Sequence, residues 1–197
     1  MSSFAETVNR ARQRCNAVLQ ERVATKRSEG CQVIIEPALC DAAGAVVCAP
    51  DGLKLPLRYD LVLKDAAGKF NPENADSVTI GFGEPVFVTW EHKLRIEIHR
   101  LCWDYMQFQI FPVRAACDWE SLRNWFLKWF DPNDKSFARP DGLFGVVHFL
   151  SDPEVDAGNA SLFVDLGSAP VEALGELFDA FILIGVDHCI IGKQKNV

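Results

Sequence analysis

The stretch from residue 105 to 192 decides the fold: YMQFQIFP (Tyr105–Pro112), WESLRNWFLKWF (Trp119–Phe130), FGVVHFL (Phe144–Leu150), SLFVDL (Ser161–Leu166), VEALGELFDAF (Val171–Phe181) and VDHCII (Val186–Ile191). Two of these six runs repeat their apolar residues at spacings of three and four, the signature of one buried helix face. In the first, that stripe is Leu122, Trp125, Phe126 and Trp129; in the second it is Val171, Leu174, Leu177, Phe178 and Phe181. Asp118 is the expected N-cap of the first helix and Asp131-Pro132-Asn133 its stop, while Ser168 is the expected cap of the second with Pro170 in its first turn. At about 100° per residue Trp119 and Trp129 fall about 80° apart, so one of them flanks the core. The other four runs are short and rich in β-branched and aromatic residues, which suits strands.

Strand, helix, strand, strand, helix, strand is the βαββαβ order of ferredoxin-like sandwiches, in which two helices cover one face of an antiparallel sheet. The expected class is therefore α+β, with antiparallel sheet and helices on one face. Ahead of it, Ser3 and Glu6 form a capping box, and Val8, Ala11, Cys15 and Val18 mark a helix from about Phe4 to Arg27 that Glu29-Gly30 ends. Short β-type runs follow at Gln32–Glu36, Ala45–Cys48, Leu57–Lys64, Val78–Phe82, Val86–Trp90 and Leu94–Leu101. Ala49–Gly52 and Asp65–Gly68 read as turns, and Lys69–Asp76 as a surface loop. The chain thus divides into an N-terminal helix with a β-rich unit (1–104), which either stands alone or extends the same sheet, and the α+β unit (105–197).

Composition narrows the function classes. The 197 residues are 49% hydrophobic and 24% charged with net charge −7, a composition that buries a core without staples. Seven cysteines is an odd number, and no charged-then-apolar leader opens the sequence, so reduced thiols and a cytoplasmic location are expected. The longest uncharged stretch is the ten residues Gly142–Ser151, well short of the roughly 18 apolar residues of a membrane span. Charge is uneven: residues 1–30 sum to +3, 31–139 to −3 and 140–197 to −7. An acidic surface of this kind disfavours nucleic acid, whose binding depends on clustered Lys and Arg, and the basic residues of the first segment are interleaved with Glu6 and Glu21 as on a solvated helix face.

Three constellations carry candidate chemistry. Arg95, Glu97 and His99 alternate with Leu94, Ile96 and Ile98, so in a strand they share one face. A carboxylate beside an imidazole and a guanidinium is the raw material of an acid–base site, and equally of a strand's wet face. Asp187-His188-Cys189 sets acid, base and thiol in sequence, but neighbours in a strand point to opposite faces, which makes Cys189 a buried packing residue. No C-x-x-C, H-x-H or H-E-x-x-H arrangement, no calcium loop at Asp131 and no full phosphate-binding glycine loop around Gly81-Phe82-Gly83 occurs, so neither a metal nor a cofactor is expected. His148 between Val147 and Phe149 reads as a hydrogen-bonded core histidine. Trp103 and Tyr105, with Asp152, Glu154 and Asp156, are the candidate partner-binding residues, since Trp and Tyr supply much of the contact energy of interfaces.

The reading that follows is a non-enzymatic, acidic interaction protein of bacterial or other cytosolic type, an immunity-like or adaptor-like inhibitor of a basic protein partner, binding neither nucleic acid nor membrane. The alternatives are a small enzyme working through Arg95, Glu97 and His99, and a ligand-sensing domain that forms a homodimer through its sheet.

Overall fold

Helix α1 (Phe4–Ser28) buries Val8, Ala11, Cys15, Leu19 and Val23 on one face, the spacing of three and four that its sequence carries. Gly30 ends it at φ +83, a conformation glycine adopts without a Cβ penalty. The computed structural model describes residues 4–65, 68–113 and 117–193. Ser3 of the expected capping box and Ala66-Ala67 of the expected turn lie outside the described residues.

Two sheets follow. Strands β1 (Gln32–Ile35), β2 (Leu61–Lys64) and β3 (Phe70–Glu73) form a small antiparallel sheet in that order. Strands β4 (Thr79–Trp90), β5 (Leu94–Cys102), β6 (Met106–Phe111), β7 (Phe149–Leu150), β8 (Glu154–Asp156), β9 (Asn159–Asp165) and β10 (His188–Ile191) form a seven-stranded sheet in the order β4-β5-β10-β6-β9-β7, with β8 also on β9. Every pairing in it is antiparallel except β10 with β5. Helix α2 (Glu120–Phe130) lies between β6 and β7 in the chain and α3 (Val171–Leu183) between β9 and β10. The class is mixed α+β.

Several elements differ from expectation for identifiable reasons. Lys69–Asp76 contains β3 rather than a loop; β3 is an edge strand, where Pro72 removes no ladder hydrogen bond that a second neighbour would need. Val78–Phe82 and Val86–Trp90 belong to one strand, β4, whose register shifts between Gly81 and Val86, so Gly83-Glu84-Pro85 marks a bulge on an edge. Ala45–Cys48 forms only isolated bridges, Cys40 with Val46 and Cys48 with Pro56. The run from Phe144 narrows to Phe149–Leu150, because Gly145 stands at φ +75 and the amides before it turn to side chains. Val171 opens α3 with Pro170 at the cap position; Ser168 accepts the Gly145 N–H at 2.7 Å instead of capping.

All three helices cover one face of the large sheet. Val8, Ala11 and Cys15 of α1, Leu122, Trp125, Phe126 and Phe130 of α2, and Ala173, Leu174, Leu177, Phe178 and Phe181 of α3 share one core with Ile96, Ile98, Phe108, Ile110, Leu162 and Val164. Farther along α1, Leu19 and Val23 pack with Leu61 and Leu143 in a second cluster, against Val33 and Ile35 of the small sheet. One continuous helix therefore ties both sheets together. Phe126 is fully buried, with its ring 5.3 Å from that of Phe130. Phe126→Ala is expected to lower the unfolding free energy by about 3–5 kcal/mol, read as a fall in urea midpoint at unchanged m-value, whereas Phe87→Ala, at a ring 72% exposed, changes it by less than about 0.5 kcal/mol.

Candidate functional site

Four strand ends meet where the small sheet abuts the large one. Glu36 follows β1, Asp60 precedes β2, His148 precedes β7 and Asp165 ends β9. Backbone hydrogen bonds continue the ladders across the junction: Glu36 N–H to Asp60 C=O at 2.9 Å, Arg58 N–H to His148 C=O at 3.0 Å, and His148 N–H to Asp165 C=O at 3.0 Å. Position and side-chain direction of all four residues are thus fixed by strand pairing.

The His148 ring is wholly buried, and its Nε2 lies 2.8 Å from Glu36 Oε1. Glu36 also accepts the Phe144 N–H at 2.7 Å and the Ser168 N–H at 3.2 Å. Burial alone would raise the Glu36 carboxyl, but the hydrogen bond and charge of His148, with the Ser168 and Phe144 donors, hold it below the ordinary carboxylate range. An ionised Glu36 accepts only, so the proton between them sits on Nε2. Glu36 adopts φ +49, uncommon without glycine; its N–H, its carbonyl and both carboxylate oxygens are all engaged, which over-determines that conformation.

On the other side of the ring, Nδ1 lies 2.9 Å from Asp60 Oδ1 and 3.7 Å from Asp165 Oδ2. The 2.9 Å approach lacks the direction of a hydrogen bond, and Nδ1 has no hydrogen-bonding partner. The second oxygen of each carboxylate is tied by a backbone amide, Asp60 Oδ2 by Ala75 N–H at 2.6 Å and Asp165 Oδ1 by Gly167 N–H at 2.8 Å. Burial, with the neighbouring Asp60 charge, pushes the Asp165 carboxyl up against the opposing pull of His148. Burial opposes a charged His148, and the Asp165 charge together with the three carboxylate contacts outweighs it, raising the imidazole well above its ordinary value.

Arg58 anchors the same junction. Its side chain is buried and donates to the Phe130 and Asp131 carbonyls at 2.9 Å each, to the Glu36 carbonyl at 2.7 Å and to Asp134 Oδ1 at 2.5 Å. The guanidinium thus sits at the carbonyl-rich, negative end of α2 and stacks 4.6 Å from the centre of the Phe130 ring.

Beside this cluster a cavity of about 380 Å³ opens between the sheets, with Asp60 and Asp165 in its wall and Tyr59, Asn74, Ser77, Asp104, Tyr105 and Phe149 around it. None of Glu36, Asp60 and Asp165 was singled out by the sequence reading. Their signal is a lone carboxylate inside an apolar run, as in Ile34-Ile35-Glu36, Tyr59-Asp60-Leu61 and Val164-Asp165-Leu166, since a charge buried in the interior requires partners.

The residues expected to carry function are placed apart from this cluster. Arg95, Glu97 and His99 share the uncovered face of β5: His99 Nε2 lies 2.7 Å from Glu97 Oε1, His188 Nε2 3.9 Å from Glu97 Oε2, and exposed Arg95 reaches Asp187 at 3.9 Å. None of the three lines the cavity described above. Cys189 points the other way, fully buried in the core, where burial pushes its thiol up, so His188 and Cys189 stand on opposite faces. Trp103 is a correction: it is 0% exposed and donates Nε1–H to the Gly167 carbonyl at 3.0 Å, so its ring fills core and its polar atom is already satisfied. Tyr105 is 58% exposed and stacks on Phe163 at 5.0 Å. Asp152, Glu154 and Asp156 are exposed along the β7–β8 edge, but Asp152 Oδ1 also accepts the Leu53 N–H at 2.7 Å and so closes the 51–53 turn. No family model, no curated protein and no solved structure matches this chain.

Removing the Glu36 carboxylate would leave the His148 Nε2–H, the buried Ser168 amide and the half-buried Phe144 amide without their acceptor, so Glu36→Ala is expected to cost about 3–5 kcal/mol of stability in urea unfolding. At Gly167, φ +48, an added Cβ would fall 2.4 Å from His148 Cδ2 and 2.6 Å from the Val146 carbonyl oxygen. Gly167→Ala is therefore expected to destabilise by at least about 1 kcal/mol, whereas Gly142→Ala, with open space around it, carries only the backbone strain of its φ.

Proposed function

We propose that this protein is a cytoplasmic, non-enzymatic interaction module that binds a basic, partly apolar segment of another protein, in the manner of an immunity-type or adaptor-type inhibitor. The observation that carries the reading is a contiguous aromatic strip with an acidic border at one end of the uncovered sheet face. Tyr105 stacks on Phe163, and Phe149, 39% exposed, pairs with Asp165 on the next strand, a diagonal neighbour of Phe163. Glu154 pairs with Ser161 on the same strand as Phe163, placing the acidic edge directly beside the rings. Asp104 adjoins Tyr105 in the wall of the cavity. Aromatic rings fixed on a sheet lose little entropy on binding, and a bordering field of one sign steers an oppositely charged partner and rejects like-charged ones.

We also propose a ferredoxin-like arrangement for the strands and helices of residues 105–192. Each neighbouring pair in the row β10-β6-β9-β7 is antiparallel, with β9 inserted between β6 and β7 and β6 between β9 and β10. Each strand–helix–strand unit is therefore split by a strand of the other, which supports a ferredoxin-like assignment for residues 105–192. No helix among the described residues is long and apolar enough to cross a membrane, in keeping with the proposed location.

Peptide display against the immobilised full chain tests the binding proposal. Enrichment of Lys/Arg-rich peptides with aromatic or aliphatic residues is expected, with affinity falling steeply as salt rises. Tyr105→Ala and the pair Glu154→Lys, Asp156→Lys are each expected to weaken the selected peptides at least about tenfold, about 1.4 kcal/mol, while Phe87→Ala leaves them unchanged. Peptides without charge bias, or binding indifferent to these substitutions, would overturn it.

A further inference from the structure

His148 Nδ1, Asp60 Oδ1 and Asp165 Oδ2 all lie within 4.8 Å of one another. We propose that these three atoms bind a divalent first-row transition metal ion. A cluster of acids alone would carry nothing; what distinguishes this one is the fully buried imidazole whose Nδ1 faces both free carboxylate oxygens and has no hydrogen-bonding partner. With the proton on Nε2, three lone-pair donors converge on one point; with a second proton on Nδ1, that N–H has no acceptor in line. A metal ion would take the place of that second proton and use all three donor atoms at once.

The surroundings match what metal ligands require. A ligating histidine commonly donates its other ring N–H to a carboxylate, which fixes its tautomer, and ligating carboxylates are themselves held by hydrogen bonds. Glu36 supplies the first at 2.8 Å, and the Ala75 and Gly167 amides supply the second at 2.6 and 2.8 Å. Each carboxylate is thereby left with one oxygen directed inward. One imidazole and two carboxylates favour Zn²⁺, Mn²⁺, Fe²⁺ or Co²⁺ over the all-oxygen shells of Ca²⁺ and Mg²⁺. Three protein ligands do not complete a coordination shell, and Asp60 and Asp165 line the cavity of about 380 Å³, so the remaining positions face a space where water or an oxygen-donor ligand fits. The metal ligands are distinct from the acids of the partner-binding reading, Asp104, Glu154 and Asp156, although Asp104, Tyr105 and Phe149 line the same cavity.

Calorimetry with Zn²⁺ and optical titration with Co²⁺, on the full chain stripped with chelator, test the proposal. One equivalent is expected to bind saturably, with Co²⁺ giving ligand-field bands of nitrogen and oxygen ligation and no intense thiolate charge-transfer band. Asp165→Asn is expected to weaken Zn²⁺ at least about tenfold and Glu36→Gln by about ten- to a hundredfold, while His99→Ala, on the other candidate cluster of the sheet face, leaves the equivalent in place. In the unsubstituted chain, ¹⁵N spectra of the histidine rings are expected to show Zn²⁺ shifting His148 Nδ1 with Nε2 remaining protonated, a readout that no folding defect can mimic. Absence of saturable binding, a thiolate band, loss of the site in His99→Ala, or an unmoved His148 Nδ1 would overturn it.

Discussion

The contact between Glu36 and His148 is the constraint on which the junction of the two sheets rests. Both groups are buried, and desolvating them costs several kcal/mol each unless every donor and acceptor is matched. Glu36 meets that requirement by collecting one imidazole N–H and two amides from segments more than a hundred residues away in sequence. Few other arrangements of the chain would satisfy the same carboxylate, so the pair selects one register between the small sheet and the edge of the large one. Leu19, Val23, Leu61 and Leu143 pack behind it, but apolar packing is non-directional and tolerates sliding. The polar seam is what removes that freedom.

Arg58 extends the constraint to the helical layer. Its guanidinium is held by the last carbonyls of α2 and by the Glu36 carbonyl at once, so the end of a helix on one side of the junction and the turn after β1 on the other cannot move independently. Lys128 with Glu176, at 2.6 Å but exposed, joins α2 to α3 and contributes only a fraction of a kcal/mol. Depth in the structure, rather than charge count, separates ion pairs that organise the fold from those that decorate it.

What the sequence disclosed and what it hid follow the same division. Helices α1, α2 and α3 and the inward residues of β5, β6 and β9 were legible because burial on one face imposes a period that survives in composition. β3 and the bulge of β4 were not, since Pro72 and Pro85 are punctuation in a sequence yet are compatible with edge strands, which have a neighbour on one side only. Phe144–Val147 looked like a strand from its hydrophobicity. Its Phe144 and Gly145 amides instead serve Glu36 and Ser168, contacts that local pattern cannot encode. Asp60, His148 and Asp165 lie at separations no motif describes, and only the meeting of four strand ends brings them together.

The acidic C-terminal third, the most conspicuous bias in the sequence, is physically two populations. Several of its carboxylates are committed within the fold: Asp165 to the Gly167 amide, Asp179 to Trp90 Nε1 at 2.8 Å, Glu176 to Lys128 and Trp129, and Asp152 to the turn at Leu53. Glu154 and Asp156, by contrast, make no ion pair among the described residues and project from the free edge of the sheet. Net charge per segment therefore overstates the field available to a partner, because Lys128 offsets Glu176 and Asp165 lies inside the His148 cluster. Charged residues on an exposed strand edge also oppose edge-to-edge pairing with a second copy. The same two side chains thus disfavour self-association at that edge while leaving the adjacent rings of Tyr105 and Phe163 open to a partner of opposite charge.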